Sequence, residues 1–306
     1  MARRLRYRGM AVTVMLLSCS TLLLSQQYGI QLMPGSSLTA GDGSEIEITD
    51  GSFGNDGTFI AQGESTITFN GNTIQEIGGA EATAFSNLTV NNTTGLSITG
   101  GAVSVNRILL CNGLLETNGK MTLRSWGDGT ALIDGAGTGT ISGNVTMQRY
   151  LPTGFGYIYL SSPFTSATVS ELVDEAIESI YRYDENRLVG GVPASGWSNY
   201  YNPGNLLVPA AGYAVNLGPD TGPLTVDITG EVTNGDITVP VFNNDQPYTV
   251  GFNLVGNPYP SPVDWDMIDA LNTNIDNAVY YFSNSDIDQY GGTYVTYING
   301  VSSDGM

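Results

Sequence analysis

The residue types that carry most enzyme chemistry are scarce in this chain. It contains no histidine and two cysteines, Cys19 and Cys111. Ser-His-Asp catalysis, Cys-His catalysis and histidine-bound zinc all require an imidazole group. Cys111 follows three aliphatic residues, so we expect a buried structural thiol and not a nucleophile. The sequence therefore predicts no catalytic residue and no cofactor-binding residue, and it predicts that the protein is not an enzyme.

Paired carboxylates are the remaining catalytic option. Asp128 and Asp134 are the closest such pair in the first half of the chain, in a glycine-rich stretch. A glycosidase needs two carboxyl groups about 5 to 10 Å apart around a sugar. A polysaccharide-degrading β-helix would place these two side chains on adjacent coils, converging on one groove. The favoured alternative is that both are solvated turn residues.

A second group of carboxylates suggests a calcium site. Asp264, Asp266 and Asp269 follow a proline-rich stretch, and a looped chain at that point would bring their oxygens together. Calcium takes six to eight oxygen ligands, and no EF-hand pattern is present. The favoured alternative is that Asp264 caps a short helix and stabilises its N-terminal dipole. Calcium is the one cofactor that the sequence leaves open.

Aromatic residues offer a possible sugar-binding surface. Trp197, Tyr200 and Tyr201 lie in a polar context, and exposed rings of this kind stack on sugars. These three residues are the carbohydrate-ligand candidates. The favoured alternative is ordinary packing, because tyrosine is common in strands.

The N-terminal residues have the pattern of an export signal. Four arginines precede residue 10, and an apolar run extends from Met10 to Leu24, which is short for a membrane span. We predict a signal peptide over residues 1–25. The residues before Cys19 also resemble a lipoprotein cleavage box, so a lipid anchor at Cys19 is the alternative and the only predicted membrane contact.

Composition divides the remaining chain near residue 147. Residues 26–146 contain short segments of alternating polarity punctuated by Asn-Gly turns. Phe69, Val90, Leu110 and Ile133 recur at intervals of 21, 20 and 23 residues, which suits one coil of a parallel β-helix. We predict a β-solenoid-like region here, with a β-sandwich of meandering hairpins as the alternative.

Residues 147–306 predict a second domain that is a β-sandwich or jelly-roll-like fold with one or two short helices. A capping-box pattern predicts a helix over Ser170–Ser179. Met147–Leu151 and Tyr157–Ser162 predict a strand pair. Leu224–Gly230 and Gly235–Val241 predict a hairpin turned at Asn234-Gly235. The fold class predicted for the whole chain is all-β.

Three stretches carry a family resemblance: Phe69–Gly79 with Phe85–Asn92, Gly143–Pro163, and Gly251–Asp266 with Tyr294–Gly300. Together they resemble the passenger regions of Bacteroidetes-type secreted and surface proteins exported by type IX secretion. Such proteins usually end in a sorting domain. The chain ends at Met306 without one, which leaves either a fragment or another export route as the interpretation.

The resemblance implies a non-enzymatic extracellular or cell-surface protein of structural or adhesin-like function. A carbohydrate-binding module is the alternative, and a polysaccharide-degrading β-helix enzyme is a third hypothesis. After signal removal the chain carries six basic and 29 acidic groups, a net charge of −23, which repels nucleic acid and anionic membranes. The expected partners are extracellular polysaccharide or other surface proteins, on the outer surface or outside the cell.

Overall fold

A computed structural model describes residues 28–49, 51–173, 177–220, 222–270, 272, 274–298 and 300–303. The chain divides into two compact units, one reaching to Arg149 and including Thr229–Val232, the other formed by the rest from Tyr150 onward. The second unit thus begins three residues after the domain boundary expected at residue 147. The predicted signal peptide and Cys19 lie outside the described residues.

The first unit is a parallel β-solenoid of about six coils. Its strands in chain order are β1 (Tyr28–Leu32), β2 (Ser37–Ala40), β3 (Glu45–Ile48), β4 (Ser52–Asn55), β5 (Thr58–Ala61), β6 (Thr66–Phe69), β7 (Gln75–Gly78), β8 (Thr83–Val90), β9 (Leu96–Ile98), β10 (Val103–Cys111), β11 (Leu114–Glu116), β12 (Met121–Leu123), β13 (Ser125–Trp126), β14 (Gly129–Thr130), β15 (Leu132–Ile133), β16 (Thr140–Ser142) and β17 (Asn144–Leu151).

Two long parallel ladders form the sides of the solenoid. One runs through β1, β4, β7, β9, β11 and β16, and the other through β3, β6, β8, β10, β12 and β17. A shorter parallel pair, β2 with β5, forms a third side in the first coils. The β13–β14 hairpin is antiparallel and projects from the fifth coil. The predicted solenoid is therefore confirmed.

Aliphatic side chains stacked in register fill the interior of the solenoid. The clearest stack repeats every 21 residues and all its members are buried: Ile46, Ile67, Leu88 and Leu109. A second stack, two residues further along each strand, contains Phe69, Val90 and Cys111. Stacked coils bury apolar area that one coil cannot bury alone, so the repeat is what stabilises the unit.

The predicted anchor at Leu110 is wrong by one residue. Cys111, not Leu110, pairs with Val90 and points inward, while Leu109 pairs with Ile133. The register of β10 against β8 shifts between Val105 and Ile108, where two residues bulge out. Because strand side chains alternate between faces, the 20-residue interval places Leu110 on the outer face and only half-buries it.

The second unit contains antiparallel sheets and two short helices, which completes the predicted all-β fold class. Its elements are β18 (Tyr157–Leu160), α1 (Ser170–Val173), β19 (Ser179–Tyr183), β20 (Leu188–Val189), β21 (Val192–Pro193), β22 (Trp197–Asn199), β23 (Tyr213–Asn216), β24 (Leu224–Glu231), α2 (Trp265–Ala270), β25 (Ala278–Asn284), β26 (Gly292–Ile298) and β27 (Val301–Ser302). One sheet has the order β18-β23-β19-β22 and another the order β25-β26-β27.

Two local predictions in this unit are wrong because longer-range pairing overrides them. The helix expected to reach Ser179 is described only over Ser170–Val173, and Ser179 already begins strand β19, which pairs with β23. The expected pair of Met147–Leu151 with Tyr157–Ser162 does not form. Strand β17 continues the parallel solenoid ladder, and β18 pairs antiparallel with β23.

The hairpin expected at Asn234-Gly235 is also wrong. Strand β24 forms its first arm, but residues 235–241 form no strand. Two side chains form hydrogen bonds with backbone groups at the two ends of this segment. The Tyr259 hydroxyl donates to the Gly235 carbonyl at 2.7 Å, and the Asn253 amide exchanges two hydrogen bonds with the Phe242 backbone. Pro240 has no N–H to donate to a ladder.

The proline-rich segment after Gly251 forms a turn that side-chain hydrogen bonds close. Val255 forms a single antiparallel bridge with Ala211. The Asn257 side chain closes the following turn by accepting from the Tyr259 N–H at 2.9 Å and donating to the Ser261 carbonyl at 2.6 Å. The turn leads into helix α2, and both Pro258 and Pro260 are buried.

Candidate functional site

One face of the four-stranded sheet in the second unit is lined by aromatic rings. Strand pairing places Tyr159, Tyr181, Tyr183 and Trp197 on this face, because Tyr183 is directly opposite Trp197 and both Tyr159 and Tyr181 are opposite Ala214. Trp197 contacts Tyr183 edge to face at 5.0 Å between ring centroids and Tyr159 at 5.8 Å. Offset and edge-to-face aromatic pairs stabilise a core beyond the area they bury.

The β25–β26 hairpin covers part of this aromatic face. Phe282 stacks on Tyr159 with ring centroids 4.8 Å apart and planes within 18°. The hydroxyls of Tyr159 and Tyr294 share a hydrogen bond of 2.8 Å. Burial, together with this hydrogen bond, raises the pKa of the Tyr159 hydroxyl well above its usual range. The two sheets therefore meet through a half-buried aromatic layer, as expected of a sandwich-like domain.

The three carbohydrate candidates do not share one surface. Trp197 lies in the aromatic layer, whereas the Tyr200 ring contacts Tyr213 at 5.4 Å and has the Arg182 guanidinium 5.9 Å from its centroid. Arg182 and Tyr213 are paired on the face opposite the aromatic layer. The Tyr200 hydroxyl also donates to the Leu206 carbonyl at 2.9 Å. Tyr201 alone of the three is exposed.

The calcium candidates lie at the start of helix α2. The Asp264 carboxylate accepts hydrogen bonds from the backbone N–H groups of Asp266 at 3.0 Å and Met267 at 3.4 Å, the geometry of a helix cap. The Asp266 carboxylate accepts from the Tyr297 hydroxyl at 2.9 Å. Nothing is described of the Asp269 side chain. Among the described residues, no group of three metal-ligating side chains is brought together.

Replacing the capping residue provides a test of these two roles. We expect Asp264→Ala to lower the free energy of unfolding by about 1 kcal/mol, because two N–H groups of the first turn lose their acceptor. Urea unfolding of wild type and variant measures this. Asp286→Ala, which removes an exposed carboxylate elsewhere, should cost less than about 0.5 kcal/mol. A rise in wild-type stability on adding CaCl₂ that Asp264→Ala abolishes would instead support the calcium hypothesis.

The two carboxylates of the glycosidase hypothesis lie in turns of the same coil. Asp128 is exposed at the tip of the β13–β14 hairpin. Asp134 follows β15, and its carboxylate accepts the Ala136 N–H at 2.9 Å, which closes a local turn. The arrangement on adjacent coils that this hypothesis requires is not formed.

Cys111 is 4% exposed and donates through its Sγ to the Gly113 carbonyl at 3.4 Å. Burial raises the pKa of its thiol from 9.0 to about 11, and the hydrogen bond partly opposes that rise. A neutral buried thiol is a poor nucleophile.

Titration of Cys111 should make the fold less stable in alkali. The folded pKa exceeds the unfolded one, so this stabilisation is complete below pH 9.0 and is lost as the pH rises through about 11. We expect wild type to lose about 2 kcal/mol more than Cys111→Ala between these limits, measured by urea unfolding. Equal losses in the two proteins would show that this thiol does not titrate differently on folding.

A buried carboxylate in the second unit has a structural role. Glu185 is 2% exposed, and its Oε1 accepts from the Asn244 N–H at 3.2 Å and the Thr249 hydroxyl at 3.3 Å. The Thr249 hydroxyl also donates to the Glu185 carbonyl at 3.1 Å. These bonds hold the irregular segment before Gly251 against the turn that follows β19. No sequence motif marks this glutamate.

A family model described as "Domain of unknown function (DUF8693)" matches residues 29–304, which is most of the chain. No curated protein and no solved structure matches. Within the described residues, no helix has the length and apolar character needed to cross a membrane.

Proposed function

We propose that this chain, which belongs to the DUF8693 family of domains of unknown function, is a non-enzymatic structural or adhesin-like protein of the cell surface or extracellular space. The stacked solenoid carries this proposal. Its coils are joined by continuous parallel ladders and its interior is occupied by side chains in register. Such a unit presents its outer faces to partners and holds them at fixed spacing.

The dimensions of the solenoid support a scaffolding role. Adjacent strands in a sheet are about 4.8 Å apart, so about six coils make a rod on the order of 25 Å long. Continuous hydrogen-bonded ladders join successive coils, which makes the rod rigid along the stack. A rigid spacer of this kind suits a protein that presents binding surfaces away from the cell.

Charge is a second support for the extracellular setting. The chain after the predicted signal peptide carries a net charge of −23. Self-repulsion of such strongly charged molecules favours solubility at high local concentration. It also opposes binding to nucleic acid and to anionic lipid, so the partners that remain are polysaccharides and other proteins.

Adhesion without cleavage is the behaviour that tests this proposal. Purified residues 26–306 are incubated with intact bacterial cells and with a panel of cell-surface polysaccharides. We expect sedimentation of the protein with cells and no release of reducing ends above a buffer control. Release of reducing ends that Asp128→Asn/Asp134→Asn abolishes would replace the structural function with the glycosidase hypothesis.

The carbohydrate-binding alternative needs a different surface from the one predicted. Trp197 and Tyr200 lie on opposite faces of their sheet, so a single flat platform of the three candidate rings is not favoured. Trp197→Ala tests the alternative, since unchanged polysaccharide pull-down by a folded variant removes Trp197 from consideration.

A further inference from the structure

One extended segment of the second unit has no neighbouring strand. Residues 236–242, which we call the open strand, contain no turn, no bend and no positive φ, so their backbone is extended. Within the described part of the chain, residues 236–241 make no backbone hydrogen bond. All seven residues of the open strand are exposed. An extended segment with unpaired N–H and C=O groups is a template on which another strand can pair.

Hydrogen bonds at the C-terminal end of the open strand determine which of its edges is free. The Phe242 N–H donates to the Asn253 Oδ1 at 3.1 Å, and the Phe242 carbonyl accepts from the Asn253 Nδ2 at 2.9 Å. Both backbone groups of Phe242 therefore point towards Asn253. In an extended chain, the backbone groups of successive residues point to alternate edges. The odd-numbered residues thus present their N–H and C=O groups on the opposite, free edge: Ile237, Val239 and Val241.

The one proline of the open strand is on the edge that needs no donor. Proline has no N–H, and in sheets it occurs where its nitrogen faces away from a neighbouring strand. The Pro240 nitrogen is on the Asn253 edge, so every residue of the free edge keeps its N–H donor. The three residues of the free edge are also β-branched, the type that favours strands. The open strand therefore has the composition of an edge strand that is ready to pair.

A second copy of the same chain fits the free edge by symmetry. Antiparallel pairing about a two-fold axis at Val239 places Val239 opposite itself and Ile237 opposite Val241 of the second copy. The two free edges then meet and form about six ladder hydrogen bonds. Pro240 lies opposite Thr238 of the second copy, where neither backbone group enters the ladder. Each hydrogen-bonded pair brings together two apolar, β-branched side chains, which stabilises the pair of strands.

The distribution of charge is compatible with this pairing. Residues 237–244 are eight consecutive uncharged residues, in a chain whose net charge is −23 after the predicted signal peptide. In the two-fold register Asp236 lies opposite Phe242, so no like charges are directly opposed. A basic partner would find no carboxylate along residues 237–241. Recognition at the free edge therefore depends on backbone groups and apolar side chains, and a second copy supplies both.

We propose that the open strand pairs antiparallel with the open strand of a second copy, so that the chain dimerises through its second unit. The dimer does not depend on the adhesive function proposed above. A ladder of two strands is only marginally stable by itself in water, so the expected dissociation constant is on the order of 0.1 mM. Such a dimer forms where the protein is concentrated.

Analytical ultracentrifugation of residues 26–306 tests the proposal. We expect wild type to convert from a monomer to a dimer as its concentration is raised through about 0.1 mM. Raising NaCl from about 0.05 M to about 0.5 M should strengthen the dimer, because salt screens the repulsion between two acidic copies.

Two proline variants distinguish the free edge from the Asn253 edge. Val239→Pro removes the donor at the centre of the free edge and should raise the dissociation constant at least about tenfold. Thr238→Pro is the matched control, because it places the same residue type on the Asn253 edge, and it should change the constant less than about threefold. Circular dichroism confirms that both variants are folded.

Three results would overturn the proposal. Wild type that stays monomeric at about 1 mM does not pair with itself, which leaves the open strand to a strand of another protein. A dimer on which the two proline variants have the same effect forms through another surface. A dimer that salt weakens depends on opposite charges and not on the uncharged free edge.

Discussion

Gly113→Ala should destabilise the solenoid by about 3 kcal/mol. A Cβ atom at this corner would lie 2.1 Å from the Asn92 carbonyl oxygen and 2.5 Å from its carbon, both backbone atoms of the coil below. The coil above offers no relief, because a Cβ at Gly139 would in turn lie 2.1 Å from the Gly113 carbonyl oxygen. The backbones must separate, which weakens the ladder hydrogen bonds Leu114 N–H to Asn92 O and Thr140 N–H to Gly113 O.

Urea unfolding followed by far-ultraviolet circular dichroism measures this effect, with Gly41→Ala as the matched control. Gly41 also occupies a corner of the solenoid, but a Cβ there would have no atom within 4 Å, and its backbone is in an ordinary conformation. We expect the control to change stability by less than about 1 kcal/mol. Similar losses in the two variants would contradict close backbone stacking at the Gly113 corner.

Asn92→Ala should cost about 3 kcal/mol, because Asn92 is fully buried and uses both ends of its amide. Its nitrogen donates to the Thr73 carbonyl at 2.7 Å and to the Gln75 Oε1 at 3.0 Å. Its oxygen accepts the N–H groups of Thr94 at 2.8 Å and Gly95 at 3.1 Å. Alanine removes all four of these hydrogen bonds, and of the four groups the Gln75 Oε1 still accepts the Gly71 N–H.

Asn112→Ala is the control for this position. Asn112 is half-buried and makes one side-chain hydrogen bond, from its nitrogen to the Asn91 oxygen at 2.9 Å. Its loss should cost less than about 1 kcal/mol, since water replaces the missing partner. The prediction fails if the two alanine variants unfold at the same urea concentration.

The solenoid was predictable because its repeat follows from a physical constraint on every coil. Each coil must return its strand to the same side, so buried residues recur at nearly constant spacing, as Ile46, Ile67, Leu88 and Leu109 do. The one-residue error at Leu110 arose at the β10 bulge. Spacing along the sequence does not show where two residues leave the ladder.

The second unit was less predictable because its strands pair over long distances. Residues 235–241 have strand-like alternation, yet the backbone at either end of this segment is bound by the Tyr259 and Asn253 side chains. The residue types identified the candidate aromatic residues, but they did not predict the face of the sheet on which each ring lies. Trp197 and Tyr200 are three residues apart, and the Tyr200 N–H still donates to the Ile180 carbonyl of the neighbouring strand. Because strand side chains alternate between faces, this odd spacing places the two rings on opposite faces.

The roles of individual side chains depend on the same distinction. The capping role of Asp264 was readable from its place before a helix, whereas the role of Glu185 depends on contacts with Asn244 and Thr249, which are far from it in sequence.

Protease treatment of intact cells tests the central claim most directly. An epitope inserted between the exposed residues Gly190 and Gly191, in the turn between β20 and β21, reports where the chain is located. We predict that protease added outside intact Bacteroidetes-type cells expressing the tagged chain removes the epitope, while a periplasmic marker survives. Protection of the epitope until the cells are lysed would contradict a surface-displayed structural protein.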